Sequence, residues 1–231
     1  MRILFLTTIL ARKKELGGEI STQAFIDALN RLGHEVSVLG YCRKNRQFEK
    51  NSQEIVIGAR YIETAKTPKI YTLLWLIQSW FKALPYSAVK FFSRSYINTV
   101  KQILSKDKFD FVIVDHSRLG WLEKFLNSQD KLVLISHNVE HEIYLDSYKA
   151  ASNIVTKAIY RREAFLTQAM QEQLAGVTNQ VWAYTKYDAE YFCGLDKVGQ
   201  VKVFSIPPGL GDLQPSKRVT KEFDIGLLGN W

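Results

Sequence analysis

The sequence predicts an α/β protein: a doubly wound, mainly parallel Rossmann-like sheet flanked by helices. Three observations carry this. Short apolar runs alternate along the chain with segments of helical periodicity. The strongest runs, "RILFLTT" from Arg2 and "FDFVIVDHS" from Phe109, are apolar at consecutive positions, as strands buried on both faces require. The connections between most of these runs are short.

The elements follow in order. Arg2 to Thr8 is the first strand, and a loop with Gly17 and Gly18 follows it. In "EISTQAFIDALNRLGHEV", Ile20, Ala24, Ala28 and Leu32 fall four apart, with Phe25 and Leu29 widening the stripe. That spacing predicts an amphipathic helix, which Gly33 ends. "EVSVLGY" and "QEIVIGARYI" are the second and third strands, and helical material runs on to Leu104. "FDFVIVDHS" is a strand, "LGWLEKFLNS" a short helix and "KLVLISHN" a strand. Residues 140–176 are mainly helical, followed by the strand "QVWAYT", the helix "KYDAEYFCG" and the strand "VKVFSIPPG". Pro215, in the polar stretch "QPSKR", marks a linker. The expected organisation is a domain at 1–213, a linker at 214–222, and at 223–231 ("FDIGLLGNW") the opening strand of a further domain.

Composition narrows the function classes. The chain has 231 residues, 46% of them hydrophobic, enough for a substantial core. Two cysteines, Cys42 and Cys193, without a CxxC pair argue against a disulfide framework or a cysteine zinc knuckle, and fit a reducing compartment. Arg12, Lys13 and Lys14 follow the first apolar run instead of preceding it, which reads as a buried strand and not a leader. A net charge of +8 favours anionic partners, but the basic residues are dispersed and no nucleic-acid signature is present, so nucleic acid is not expected. The apolar, aromatic stretch 69–104 is too short before Lys82 to span a bilayer. A helix lying on a membrane has a cleaner polar face, so this stretch reads as a pair of core helices broken near Pro85. Peripheral membrane contact through 69–104 is the alternative.

Doubly wound sheets bind ligands at the carboxyl ends of their strands, which singles out the loops 8–18, 40–45, 115–120, 136–141, 184–188 and 207–212. Gly17-Gly18 lets backbone approach a ligand and precedes a helix N-terminus that offers free N–H groups to an anion. Neither GxGxxG nor a P-loop is present. Asp115, His116 and Ser117 are consecutive, so in extended chain they point to alternating faces and cannot form a relay. Asp115 or His116 can still enter a cleft from the strand end. "HNVEH" fits H-x-x-E-H, a zinc-hydrolase pattern built from His137, Glu140 and His141. Zinc would need both imidazoles on one helical face and a third ligand, for which Glu163 or Glu172 is unmarked. Because "KLVLIS" is a strand, His137 sits at its end with Asn138 as cap of the next helix, and the imidazoles do not share a face. Arg161, Arg162, Glu163 and Glu172 read as a solvated helix face by default, with a paired network as the alternative.

Together, "MRILFLTTILARKKELGGEISTQAFIDALNRLGHEVSVL", "LPYSAVKFFS", "FDFVIVDHS", "LISHNVEHEIY", "VWAYTKYDAEYF" and "FSIPPGLGD" resemble the N-terminal half of a GT-B glycosyltransferase. They resemble in particular the retaining, HNVE-bearing subgroup common in polysaccharide biosynthesis. The resemblance implies an acceptor-side Rossmann-like domain, with a nucleotide-diphosphate sugar as donor substrate, a glycan or lipid-linked acceptor and no obligatory metal. It implies that Gly17 and Gly18 approach the donor phosphates and that His137 faces the transferred sugar. Asn138 and Glu140 would support that loop, and Asp115, His116, Lys186 and Gly209 would line the cleft. It further implies a cytoplasmic protein, peripheral to the inner face of the membrane, whose donor-binding C-terminal domain is missing from this chain, leaving the isolated domain inactive. Pro208 and Asn179 depart from the family, which usually has Asn and Asp there. A zinc hydrolase and a non-catalytic module for anionic lipid or polyanion are the alternative readings.

Overall fold

The computed structural model describes residues 1–11, 17–44, 53–62, 67–126, 131–196 and 199–207. Gly209, the 214–222 linker and the 223–231 strand lie outside the described residues.

Seven strands form one sheet: β1 (Arg2–Ile9), β2 (Glu35–Arg43), β3 (Glu54–Arg60), β4 (Phe111–Asp115), β5 (Leu132–Ser136), β6 (Gln180–Ala183) and β7 (Lys202–Ser205). Their spatial order is β3-β2-β1-β4-β5-β6-β7, and every pairing is parallel. The consecutive apolar residues divide by period two between two cores. Leu4, Leu6, Val112, Val114, Leu132 and Leu134 face one core. Ile3, Phe5, Ile113, Val133 and Ile135 face the other, where Ile26 and Leu29 of α1 (Gly17–Arg31) cover them. From β1 the chain winds one way to β2 and β3. From β4, beside β1, it winds the other way. The carboxyl ends of β1 and β4 therefore flank the topological switch point, where such sheets bind ligands.

Several elements differ from the sequence reading. Ala28 of α1 and Leu32 just beyond its end are exposed, and the buried positions of α1 are Glu19, Thr22, Ala24, Ile26 and Leu29. Phe25 instead leans on Trp182 and Tyr184, with ring centroids 6.0 and 5.9 Å apart. Gly33, at φ 78°, ends the helix as expected. The 69–104 stretch divides into α2 (Lys69–Lys82), α3 (Tyr86–Val89) and α4 (Arg94–Lys106), with the break at Pro85. Only α4 behaves as a long core helix: Tyr96, Ile97 and Val100 are buried, and the Tyr96 hydroxyl donates to the Thr7 and Leu39 carbonyls. α2 buries only Trp75 and Ser79, so the pair-of-core-helices reading fails for it.

The expected helix "LGWLEKFLNS" is a 3₁₀ segment over Ser117–Phe125. Gly120 there packs against α6, where an added Cβ would lie 2.6 Å from Met170 Cγ and 3.1 Å from the Met170 carbonyl oxygen. Residues 140–176 form α5 (Glu140–Ala150) and α6 (Ile154–Val177). Asn153 separates them and caps α6 by accepting from the Val155 and Thr156 N–H groups. α7 (Lys186–Leu195) precedes β7.

Candidate active site

Asp115 is the last residue of β4 and is fully buried. Its Oδ2 accepts from the hydroxyls of Thr7 on β1 (2.9 Å) and Thr22 on α1 (2.8 Å). Its Oδ1 lies 2.8 Å from Nε2 of His137, the residue after β5. The Tyr184 hydroxyl, just beyond β6, is 3.0 Å from the same nitrogen. Burial opposes charge on Asp115, but His137, His116 and the Thr22 hydrogen bond outweigh it and hold the carboxyl at about 2. Burial, then the neighbouring His116, lowers the His137 pKa below its ordinary value, against the pull of Asp115. His137 is therefore neutral near pH 7. Asp115 accepts the Nε2 proton, which leaves Nδ1 as a free acceptor. Burial and the Asp115 charge raise the Tyr184 pKa, so its hydroxyl stays protonated.

The free nitrogen faces the start of α1. A Cβ added to Gly18 would lie 3.8 Å from His137 Nδ1 and 3.9 Å from His116 Nε2. His116 stacks on His137 with centroids 3.5 Å apart and 21° between planes. His116 has φ 81°, so the chain is no longer extended there. That is why Asp115 and His116 reach the same cluster although they are consecutive. Ser117 is not part of a relay, because the partner of Asp115 is His137.

A second charged layer lies behind His116. Its Nδ1 is 3.6 Å from Glu140 Oε1, and Arg118 Nε donates to Glu140 Oε2 at 3.2 Å. Burial favours neutral Glu140, but Arg118 and His116 outweigh it and hold its pKa at about 2. Lys90, beyond α3, has its pKa lowered by burial and by the nearby Arg118 charge.

Side chains from other helices fix the loop that carries His137. The Val139 N–H donates to Asp188 Oδ1 (3.0 Å) and the Glu140 N–H to Gln171 Oε1 (3.1 Å). Asn138 therefore does not cap α5. Val139 holds the cap position, while the Asn138 carbonyl accepts from Ser136 Oγ at 2.9 Å.

The H-x-x-E-H pattern does not assemble. His141 is buried against Tyr191, with centroids 5.3 Å apart. Glu163 accepts from the Tyr86 N–H and Arg162, and Glu172 from Gln168 and Tyr191. Arg162 and Glu163 are packed residues, not the solvated face expected. Among the described residues, Asp115, His116 and His137 offer ligand atoms within 4.8 Å of one another. Their stacked rings direct the in-plane lone pairs side by side and not at one point, so the cluster suits a hydrogen-bond network better than tetrahedral zinc.

Of the other expected residues, Gly17 opens α1 at the surface, and Lys186 is exposed, 3.9 Å from Glu190. Asn179 receives the Leu132 N–H and anchors the start of β5. Thr7, Thr22, Arg118 and Tyr184 escaped the sequence reading. Thr7, Arg118 and Tyr184 had a signal: the first is polar within an apolar run at its carboxyl end, and the other two lie in loops already marked as ligand-facing.

Neither a protein-family model nor a curated relative matches the sequence. Solved structures do match. Sucrose-phosphate synthase from Thermosynechococcus elongatus superposes with TM-score 0.55 at 13% identity, over 89% of this chain and 48% of that one. A Phytolacca americana UGT2 complexed with UDP-2fluoro-glucose and pterostilbene gives 0.52 at 10%, over 90% and 53%. A Medicago truncatula UGT complexed with UDP-glucose gives 0.51 at 13%, over 93% and 53%. These are GT-B proteins, and the chain has the Rossmann-like fold of a GT-B half. It spans about half the length of the structures it matches.

Proposed function

We propose that this chain is the acceptor-side domain of a retaining, nucleotide-sugar-dependent glycosyltransferase acting on a glycan or lipid-linked acceptor in polysaccharide biosynthesis. The observation that carries this reading is the buried Asp115–His137 pair at the switch point, whose free Nδ1 faces Gly18 at the α1 N-terminus. The likeness to GT-B folds supports it.

In this reading the α1 N–H groups at Gly17 and Gly18 face the donor diphosphate, where negative charge grows as the glycosidic carbon–oxygen bond breaks. His137 Nδ1 accepts a hydrogen bond from a hydroxyl of the transferred sugar, and Asp115 fixes the imidazole so that this nitrogen is unprotonated. Asn138 and Glu140 hold the loop. Arg118 brings positive charge beside Glu140. In this reading catalysis needs a donor-binding wall facing this one across the cleft.

The test is a panel of nucleotide sugars with the full-length protein. His137→Ala should lower turnover by at least about a hundredfold while the far-UV spectrum and melting transition stay unchanged. Unchanged turnover would remove His137 from the site. Stoichiometric zinc lost on His141→Ala would overturn the transferase reading of this motif.

A further inference from the structure

α2 is hydrophobic nearly all round, yet it is not buried. Ile70, Leu73, Leu76, Ile77, Trp80 and Phe81 are all exposed, Trp80 at 73% and Phe81 at 84%. The helix is fastened by one seam, formed by Trp75 and Ser79. Arg162 of α6 grips that seam: its guanidinium donates to Ser79 O at 2.8 Å and Ser79 Oγ at 3.0 Å, and lies 5.4 Å from the Trp80 ring centroid. Ile159 and Phe165, one helical step to either side of Arg162, are exposed as well. The apolar surface therefore continues from α2 onto α6. Patches of this kind on a soluble fold mark a protein or membrane contact.

Charge chooses between the two. From residue 64 to 106 Lys or Arg occurs seven times with no Asp or Glu, and on α6 Lys157 and Arg161 add two more, Arg162 being paired with Glu163. Lys69 and Lys82 bracket α2 and are exposed. A symmetric contact with a second copy would set these cations against their own counterparts. An anionic surface would neutralise them. At 14 residues α2 is about 21 Å long, and among the described residues no helix is long and apolar enough to cross a membrane. The helix suits the headgroup boundary, with its missing polar face supplied by the domain beneath it.

We propose that α2 and the adjoining face of α6 form a peripheral docking surface for an anionic lipid bilayer. The surface does not depend on the transferase reading and is tested without turnover. The full chain is mixed with phosphatidylcholine vesicles with and without phosphatidylglycerol. It should sediment with the anionic vesicles, and brominated lipid should quench a tryptophan signal that Trp80→Phe removes. Trp80→Glu with Phe81→Glu should weaken partitioning at least about tenfold. Lys69→Gln with Lys82→Gln should weaken binding to anionic vesicles about tenfold and change little for neutral ones. All four positions are exposed, so an unchanged far-UV spectrum is expected and certifies the variants. Equal partitioning of wild type and the Glu pair would overturn the proposal. So would a dimer that the same pair dissociates in the absence of vesicle binding, or a Trp80 already shielded from aqueous iodide with no partitioning.

Discussion

At the scale of single residues, Gly18 separates a structural role from a functional one. It sits in the first turn of α1 without a positive φ, and an added Cβ would make only ordinary contacts at 3.8 and 3.9 Å. Gly18→Ala should therefore fold with stability within about 1 kcal/mol of wild type. The methyl group would nonetheless stand between the helix N–H groups and both imidazoles. Turnover of the full-length protein should fall while urea unfolding does not shift, and a fall in both would make Gly18 merely structural. Asp115 makes the companion prediction. With its carboxylate in place, nitrogen NMR should show neutral His137 at pH 7, protonated at Nε2 and bare at Nδ1. Asp115→Asn removes the charge that fixes this tautomer, so the Nδ1–H form should appear. An unchanged spectrum would mean that Asp115 does not orient the ring.

At the scale of elements, α5 begins on borrowed caps. Asp188 accepts the Val139 N–H and also receives the Thr185 hydroxyl, while the Thr185 hydroxyl accepts the Asp188 N–H and caps α7. One carboxylate thus ties α7 to the turn carrying His137. Asp188→Ala would leave a buried N–H unpaired and should cost about 2 kcal/mol in urea unfolding, with Asp188→Asn retaining part of it. A cost below about 0.5 kcal/mol would show that the turn is held otherwise. These long-range caps were invisible in the sequence, where Asn138 was the natural local candidate. The strands were legible because burial on both faces leaves consecutive apolar residues, as in Leu132–Ser136. α2 was not, because an apolar helix looks the same whether a core or an outside surface receives it. His137, Asp115 and His116 were singled out by their place at strand ends. Their mutual contact was not, because the φ of 81° at His116 leaves no mark in the residue order.

At the scale of the molecule, the site and the stability of the fold are joined through pH. Asp115 and Glu140 are buried and ionised, each held at about 2 by neighbouring groups and hydrogen bonds that outweigh burial. Their unfolded counterparts titrate near ordinary values, about 4. Each group thus contributes stability that is complete above its unfolded pKa and is lost as pH falls towards its folded pKa, because the unfolded chain binds the proton first. His137 acts in the same direction. Its folded pKa is lowered by burial and by His116, so the unfolded chain also protonates there first, beginning near pH 6.5. The three contributions add in sign, while Glu163, whose pKa burial raises, works against them in the carboxylate range without matching the pair. Denaturant unfolding should therefore show stability level above pH 7, a shallow decline below about 6.5, and a steeper one below about 4.5, amounting to a few kcal/mol. Removing Glu140 as Gln should flatten the lower part of that decline and leave the step near 6.5. A profile flat from pH 7 to 3 would mean that the Asp115–His137–His116–Glu140 network is solvated in solution, and the switch point would then lose the fixed imidazole on which the proposed sugar contact depends.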